Sequence, residues 1–236
     1  MSLLAISEQM LSDWVNPQNF FASSWVFISV FMVLIVNVAP IERVIFKRKA
    51  QLRDYAVFIV LFGLFSILGT YAGVRGPGGS ISNFRDFAPI VAGLVAGPYV
   101  GLAVGLIGGV DRLFLGGVSV VPCSLATVLA GLLAGLVYRF NKGKLLGLIP
   151  AMAFAVGIEL LHGGLALALI QPLTLAVAVV VSLIPAMLVI NAVGVGLSVI
   201  IITLKDDIRK LKERGTPSIE PTQAELRTVA PLGEPV

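Results

Sequence analysis

Stretches long and apolar enough to cross a bilayer fill most of this 236-residue chain: Phe20–Val38, Tyr55–Tyr71, Val118–Tyr138, Leu145–Ile170 and Leu173–Leu204. A spanning helix needs about 20 such residues. Lipid offers no partner for a bare backbone N–H or C=O, so these segments are confined to helices. With 57% hydrophobic and 13% charged residues, the chain has too little polar surface to coat a water-soluble particle of its size, since soluble domains carry about a quarter charged residues. An ordinary soluble enzyme, a disordered chain and a collagen-like chain are thereby excluded. The expected fold class is an all-α polytopic membrane protein, with the lipid bilayer as its first partner.

Between the second and third stretches lies Asn83–Gly117, apolar but interrupted at Gly97-Pro98. Lysine and arginine concentrate in Ala39–Asp54 (Arg43, Lys47, Arg48, Lys49, Arg53), in Arg139–Lys144 (Arg139, Lys142, Lys144) and after Leu204 (Lys205, Arg209, Lys210, Lys212, Arg214). The positive-inside tendency places all three in the cytoplasm and the N-terminus outside. An odd number of crossings follows. Five full helices meet it if Asn83–Gly117 is a broken, re-entrant hairpin that enters from the outer side and returns, with Pro98 opening the second arm. One kinked span over Asp86–Val110 would make six crossings and put a basic linker on the wrong side. Residues 1–19 are then an extracytoplasmic N-terminus, 20–204 the transmembrane domain, 205–214 a cytoplasmic connecting helix with Ile208 and Leu211 at helical spacing, and 215–236 a proline-rich disordered tail. No basic residue precedes the first span, so no cleavable signal peptide is expected. The net charge of +4 comes from loop flanks, and no nucleic-acid partner is implied.

Charges beside apolar helices are costly, at about 2.5–3.5 kcal/mol near the bilayer centre, and they face cavities or one another. From Tyr55 to Tyr138 they are Arg75, in a glycine-rich outer loop, and Arg85, Asp86, Asp111 and Arg112. A hairpin brings Arg85 and Arg112 to one outer depth, near Cys123, Ser124 and Thr127 in the first turns of the next helix. Guanidinium forks suit carboxylates, so these residues outline an extracytoplasmic pocket for a small carboxylate. The competing reading is a pair of interhelical ties, Arg85 with Asp111 and Arg112 with Asp86. Glu159 and His162, three apart on one helix face, and Asn191 on the next helix form either a packing tie or a switch element. One cysteine excludes an internal disulfide, and the linear spacing of His, Cys and carboxylates offers no metal site. Neither metal nor cofactor is expected. Glycines at 93, 97, 101, 105 and 109, and again at 131 and 135, have the four-residue spacing that lets helices approach closely in lipid.

Asn83-Phe-Arg85, Ala92-Gly-Leu-Val-Ala-Gly-Pro98, Gly101, Gly105, Asp111-Arg112 and Gly116-Gly117, with Glu159, His162, Pro185, Met187, Asn191 and Gly194 further on, together resemble the membrane receptor domain of LytS-type sensor histidine kinases, the LytS/YhcK five-helix receptors. The likeness covers roughly Phe27 to Leu204. It implies signal transduction at the cytoplasmic membrane, with the transmembrane domain as the input module of a two-component system. Some such receptors sense pyruvate, and the resemblance makes Arg85, Arg112 and Cys123 ligand contacts. Ala126 stands where a hydroxyl contact is expected, so Ser124 or Thr127 must substitute. Such receptors usually precede a kinase or a diguanylate cyclase. Neither a phosphoacceptor histidine segment nor an ATP-binding glycine motif follows here, so no enzymatic activity is expected of this chain itself. It is either a receptor domain cut from a longer chain or a stand-alone sensor that borrows its output from a kinase or cyclase partner, and the resemblance implies a homodimer. The rival function is a small-solute transporter or substrate-capture subunit, because broken helices and buried charges also mark transporters.

Overall fold

A computed structural model describes residues 17–215; the expectations for the rest of the N-terminus and for the tail lie outside them. Eight helices are described: α1 Pro17–Asn37, α2 Ala39–Ile45, α3 Leu52–Tyr71, α4 Phe87–Ala96, α5 Pro98–Leu113, α6 Val120–Phe140, α7 Leu148–Leu169 and α8 Leu173–Gly215. Four of them, α3, α6, α7 and α8, are long and apolar enough to span. Over Phe21–Asn37, α1 makes a fifth together with α2, which turns off it by 80°. This multi-pass all-α architecture is the one the apolar stretches predict, with boundaries moved by a few residues. One linker differs. Ala39–Asp54 is not all loop, because Pro40 suits a first helical turn and Ile41, Val44 and Ile45 find a buried face, so α2 forms there.

The break at Gly97-Pro98 makes a hairpin. Gly97 has φ +91°, ψ −176°, a conformation open only to glycine, and Pro98 starts α5 where its missing N–H costs nothing. A Cβ on Gly101 would stand 2.8 Å from the Gly93 Cα and collide with the Gly131 carbonyl. Gly93 and Gly101 lie equally far to either side of Gly97, so α4 and α5 run back along each other while α6 packs across both. The tip sits deep. Gly97 lies against the Tyr138 ring and Pro98 against Gly135, both in the last turns of α6. Beside that ring, Lys47 Nζ stands 5.1 Å from its centroid and donates to the Gly143 carbonyl at 2.5 Å.

The bundle thus has an arginine end, where α4 begins and α5 finishes, and a basic end near the hairpin tip. Exposed aromatic residues mark both: Trp25, Tyr71 and Phe114 at the first, Tyr99 and Phe140 at the second. Amphipathic rings favour the two interfaces of a bilayer. The 21 residues of α6 between these levels rise about 30 Å, the thickness of the hydrocarbon. Inside, Phe31 packs against Phe62 and Phe87 with ring centroids 4.8 and 4.5 Å apart, joining α1, α3 and α4 below the arginines.

At the arginine end, strands β1 (Val74–Arg75) and β2 (Ile81–Ser82) form a small antiparallel ladder, with a tight turn at Pro77–Gly79. The turn lies against the start of α6, where Val118 N donates to Gly78 O at 3.1 Å, and against Leu175 and Leu183 of α8. This loop covers the end of the bundle that holds the arginines.

Candidate functional site

Each buried arginine is seated by its own helix end. The Asn83 carboxamide oxygen accepts the Arg85 backbone N–H at 3.2 Å, and Ser66 of α3 donates to the Arg85 carbonyl. The side chain therefore leaves the start of α4 in a fixed direction. Its Nε donates to Thr127 Oγ1 at 2.6 Å and its Nη1 reaches Thr70 Oγ1 at 3.5 Å. Arg112, in the last turn of α5, donates through Nη1 to Gly116 O at 2.6 Å and through Nη2 to Ser119 Oγ at 3.2 Å. Both arginines are wholly buried. Arg85 Nη2 and Arg112 Nε have no hydrogen-bond partner. The two guanidiniums lie within electrostatic reach of each other and of Cys123.

Behind the arginines the polar residues form one cluster. Thr127 Oγ1 donates to Asp86 Oδ1 at 2.5 Å. His162 places Nε2 at 3.1 Å from Cys123 Sγ. Its Nδ1 stands 3.3 Å from Asp86 Oδ2 and 3.5 Å from Glu159 Oε2, aligned as a hydrogen bond to neither. Asn191 Nδ2 donates to Glu159 Oε1 at 2.7 Å. The cluster thus links the hairpin (Arg85, Asp86), α6 (Cys123, Thr127), α7 (Glu159, His162) and α8 (Asn191) across the bundle.

Of the residues singled out from sequence, Arg85, Asp86, Cys123, Thr127, Glu159, His162 and Asn191 meet in this network, with Arg112 against Ser119 and near Cys123. Ser124 is buried, its Oγ without a partner, and its carbonyl faces Gly109 of α5. Asp111 is partly exposed and stands outside the cluster. Neither expected tie forms. Arg85 is 3.5 Å from its neighbour Asp86, and no ion pair joins Arg85 to Asp111 or Arg112 to Asp86 among the described residues. The reason is local: Arg112 turns to the Gly116 carbonyl just past its own helix, while Arg85 turns its Nε to Thr127, which also donates to Asp86.

Sequence reasoning missed Ser119, Thr70 and the structural part of Asn83. Ser119 was open to detection, because Ser119, Cys123 and Thr127 recur every fourth residue and share a helix face. Asp86 reaches Glu159 and His162 only through the fold, so linear spacing does not display the three together.

The chain matches the family model described as the 5TMR of 5TMR-LYT over residues 38–205. It is 31% identical over 175 residues to the sensor histidine kinase BtsS of Escherichia coli K12, which takes in 71% of this chain and 31% of that protein. It is 30% identical over 146 residues to the sensor protein LytS of Bacillus subtilis 168, covering 54% of this chain and 25% of LytS. With the sensor histidine kinase YpdA of E. coli K12 it shares 28% identity over 106 residues, 44% of this chain and 19% of YpdA. The matched region is at most about a third of these relatives' own length. No solved structure matches the chain. Multi-pass, all-helical and carrying the paired arginines at the mouth of a glycine-lined hairpin, the chain belongs to the 5TMR-LYT family, the membrane sensory region of LytS- and BtsS-type sensor histidine kinases.

Proposed function

We propose that this region senses a small carboxylate of the pyruvate type from the extracytoplasmic side of the cytoplasmic membrane, with the basic end and the C-terminal half of α8 facing the cytoplasm. The single observation that carries the reading is the pair of wholly buried guanidiniums, each left with a nitrogen lacking a partner. Two cations held close together in a buried place repel each other. An anion between them relieves that repulsion and takes both idle N–H groups, which makes strong charge-assisted bonds. Cys123 and Thr127 supply the neighbouring thiol and hydroxyl.

The output passes through α8. Ligand at Arg85 pulls on the bond from Arg85 Nε to Thr127, which holds Asp86 beside His162 and Glu159, and Glu159 is bonded to Asn191 on α8. α8 continues unbroken to Gly215, where a kinase or cyclase, in the same chain or in a partner, and a second copy of the receptor would read its position. Binding shifts that position only by favouring one arrangement of the cluster over another.

The test is calorimetric titration of pyruvate and related monocarboxylates into purified protein. Arg85→Lys and Arg112→Lys keep the charge but lose the fork, and each is expected to weaken binding at least about tenfold, equivalent to 1.4 kcal/mol. Unchanged affinity in both variants rejects the pocket. Accumulation of labelled pyruvate in vesicles containing this protein alone would instead favour a transporter.

A further inference from the structure

Among the side-chain atoms of the buried cluster without a hydrogen-bond partner are Asp86 Oδ2, Glu159 Oε2 and His162 Nδ1, beside Arg85 Nη2 and Asn191 Oδ1. The first three point at one another. Nδ1 is 3.3 Å from the aspartate oxygen and 3.5 Å from the glutamate oxygen, and each of the three residues offers one ligand atom within 4.8 Å of the others. Asp86 and Glu159 are fully buried and His162 is 98% buried, at 2% exposure. Two carboxylates held away from water, with one imidazole nitrogen within ion-pair distance of both but hydrogen-bonded to neither, are incompletely satisfied polar groups, and such groups are costly unless something completes them.

We propose that these three atoms are ligands to a divalent first-row transition ion of the zinc class, held between the hairpin, α7 and α8. Tetrahedral bonds of about 2.0–2.2 Å from nitrogen and carboxylate oxygen set neighbouring donors roughly 3.3–3.5 Å apart, the spacing of Nδ1 from both oxygens. The remaining atom of each ligand is already taken. Thr127 donates to Asp86 Oδ1, Asn191 donates to Glu159 Oε1, and Cys123 Sγ meets His162 Nε2. Metal ligands are characteristically oriented through their outer atoms in this way, with the free atom turned to the ion. Three protein ligands leave a fourth position for water or a small oxygen donor. One nitrogen and two carboxylate oxygens suit zinc or manganese better than copper(I), which prefers sulfur. The metal site does not depend on the carboxylate reading, although Thr127 and Cys123 belong to both networks.

The experiment measures bound metal per chain on protein purified without a polyhistidine tag, stripped with a chelator and equilibrated with Zn2+. His162 is the one histidine in the sequence, so no other imidazole contributes. About one equivalent is expected for the unaltered protein and less than a tenth of that for His162→Gln and Glu159→Gln, with helicity and monodispersity in detergent retained. Asn191→Leu, which touches only the outer oxygen of Glu159, should weaken Zn2+ binding about 10–100-fold. Cu2+ in place of zinc should show coupling to a single imidazole nitrogen, absent in His162→Gln. Failure of the stripped protein to take up Zn2+ or Mn2+ overturns the proposal and leaves a proton on Nδ1 as the group that serves the two carboxylates. Equal uptake by His162→Gln also overturns it. If His162→Gln does not fold, Asn191→Leu decides, and unchanged affinity there counts against the site. Pyruvate binding is read separately from metal content, so failure of the carboxylate pocket leaves this result intact.

Discussion

A threonine hydroxyl has one proton to give and two lone pairs to fill, and Thr127 places them among charged neighbours. It accepts from Arg85 Nε, gives its proton to Asp86 Oδ1, and has the Cys123 carbonyl 3.0 Å away as a competing acceptor. Thr127→Val keeps the shape and removes the hydroxyl, stranding a guanidinium N–H and a carboxylate oxygen at about 1–3 kcal/mol for each. The expected outcome is a marked drop in melting temperature in detergent, largely restored in Thr127→Ser; equal melting of the valine variant and the unaltered protein would show the hub to be idle. At this scale the sequence shows the pieces better than their arrangement. Glu159 and His162 are legible as a pair because their spacing fixes one helix face. Ser124, adjacent to Cys123, is turned about 100° away from it around the helix, and its carbonyl lies against Gly109 of α5. Asp86 could not be assigned to His162 from spacing, since the chain passes through the whole hairpin and α6 before reaching α7.

Among the elements, α5 and α6 make the closest contact. The Gly101 and Gly131 backbones touch so closely that a Cβ on either collides with the carbonyl of the other. Dispersion, and not the hydrophobic effect, drives such contacts in lipid. Gly101→Ala should force the pair apart and cost about 1–3 kcal/mol, as overpacking does. Gly157, on α7, has nothing within 4 Å of its would-be Cβ; Gly157→Ala should be neutral or stabilising by up to about 1 kcal/mol through helix propensity. Denaturant or thermal melts of the two variants against the unaltered protein measure the contrast, and similar effects at both positions would remove the packing explanation. The four-residue glycine spacing and the Gly97-Pro98 break were readable because both follow from backbone sterics. Helix α2 was not, since its buried face depends on neighbours brought in from α3 and α4.

For the whole molecule, the sidedness inferred from lysine and arginine is open to direct labelling. Arg75, Lys144 and Leu211 are exposed, and the native Cys123 is buried. With a membrane-impermeant maleimide, Arg75→Cys should react in intact cells, and Lys144→Cys and Leu211→Cys only after permeabilisation. Reaction of Lys144→Cys in intact cells would mean that Asn83–Gly117 crosses completely. Charge placement supplies only the expectation of five crossings, which this labelling tests. The reach of the hairpin was not legible, because apolar length alone does not say how far two arms descend together.

That reach has a consequence. The finger of α4 and α5 is rooted beside Arg85 and Arg112, and its fingertip presses on Tyr138 next to Lys47. Val95, just before the turn, borders a cavity of about 300 Å³ shared with Asp206, Arg209 and Lys210 of α8. A hairpin that touches both ends of the bundle gives the proposed sensor a pushrod: on that reading, tightening at its root would be felt at the far surface in one stroke, directly beside the C-terminal half of α8.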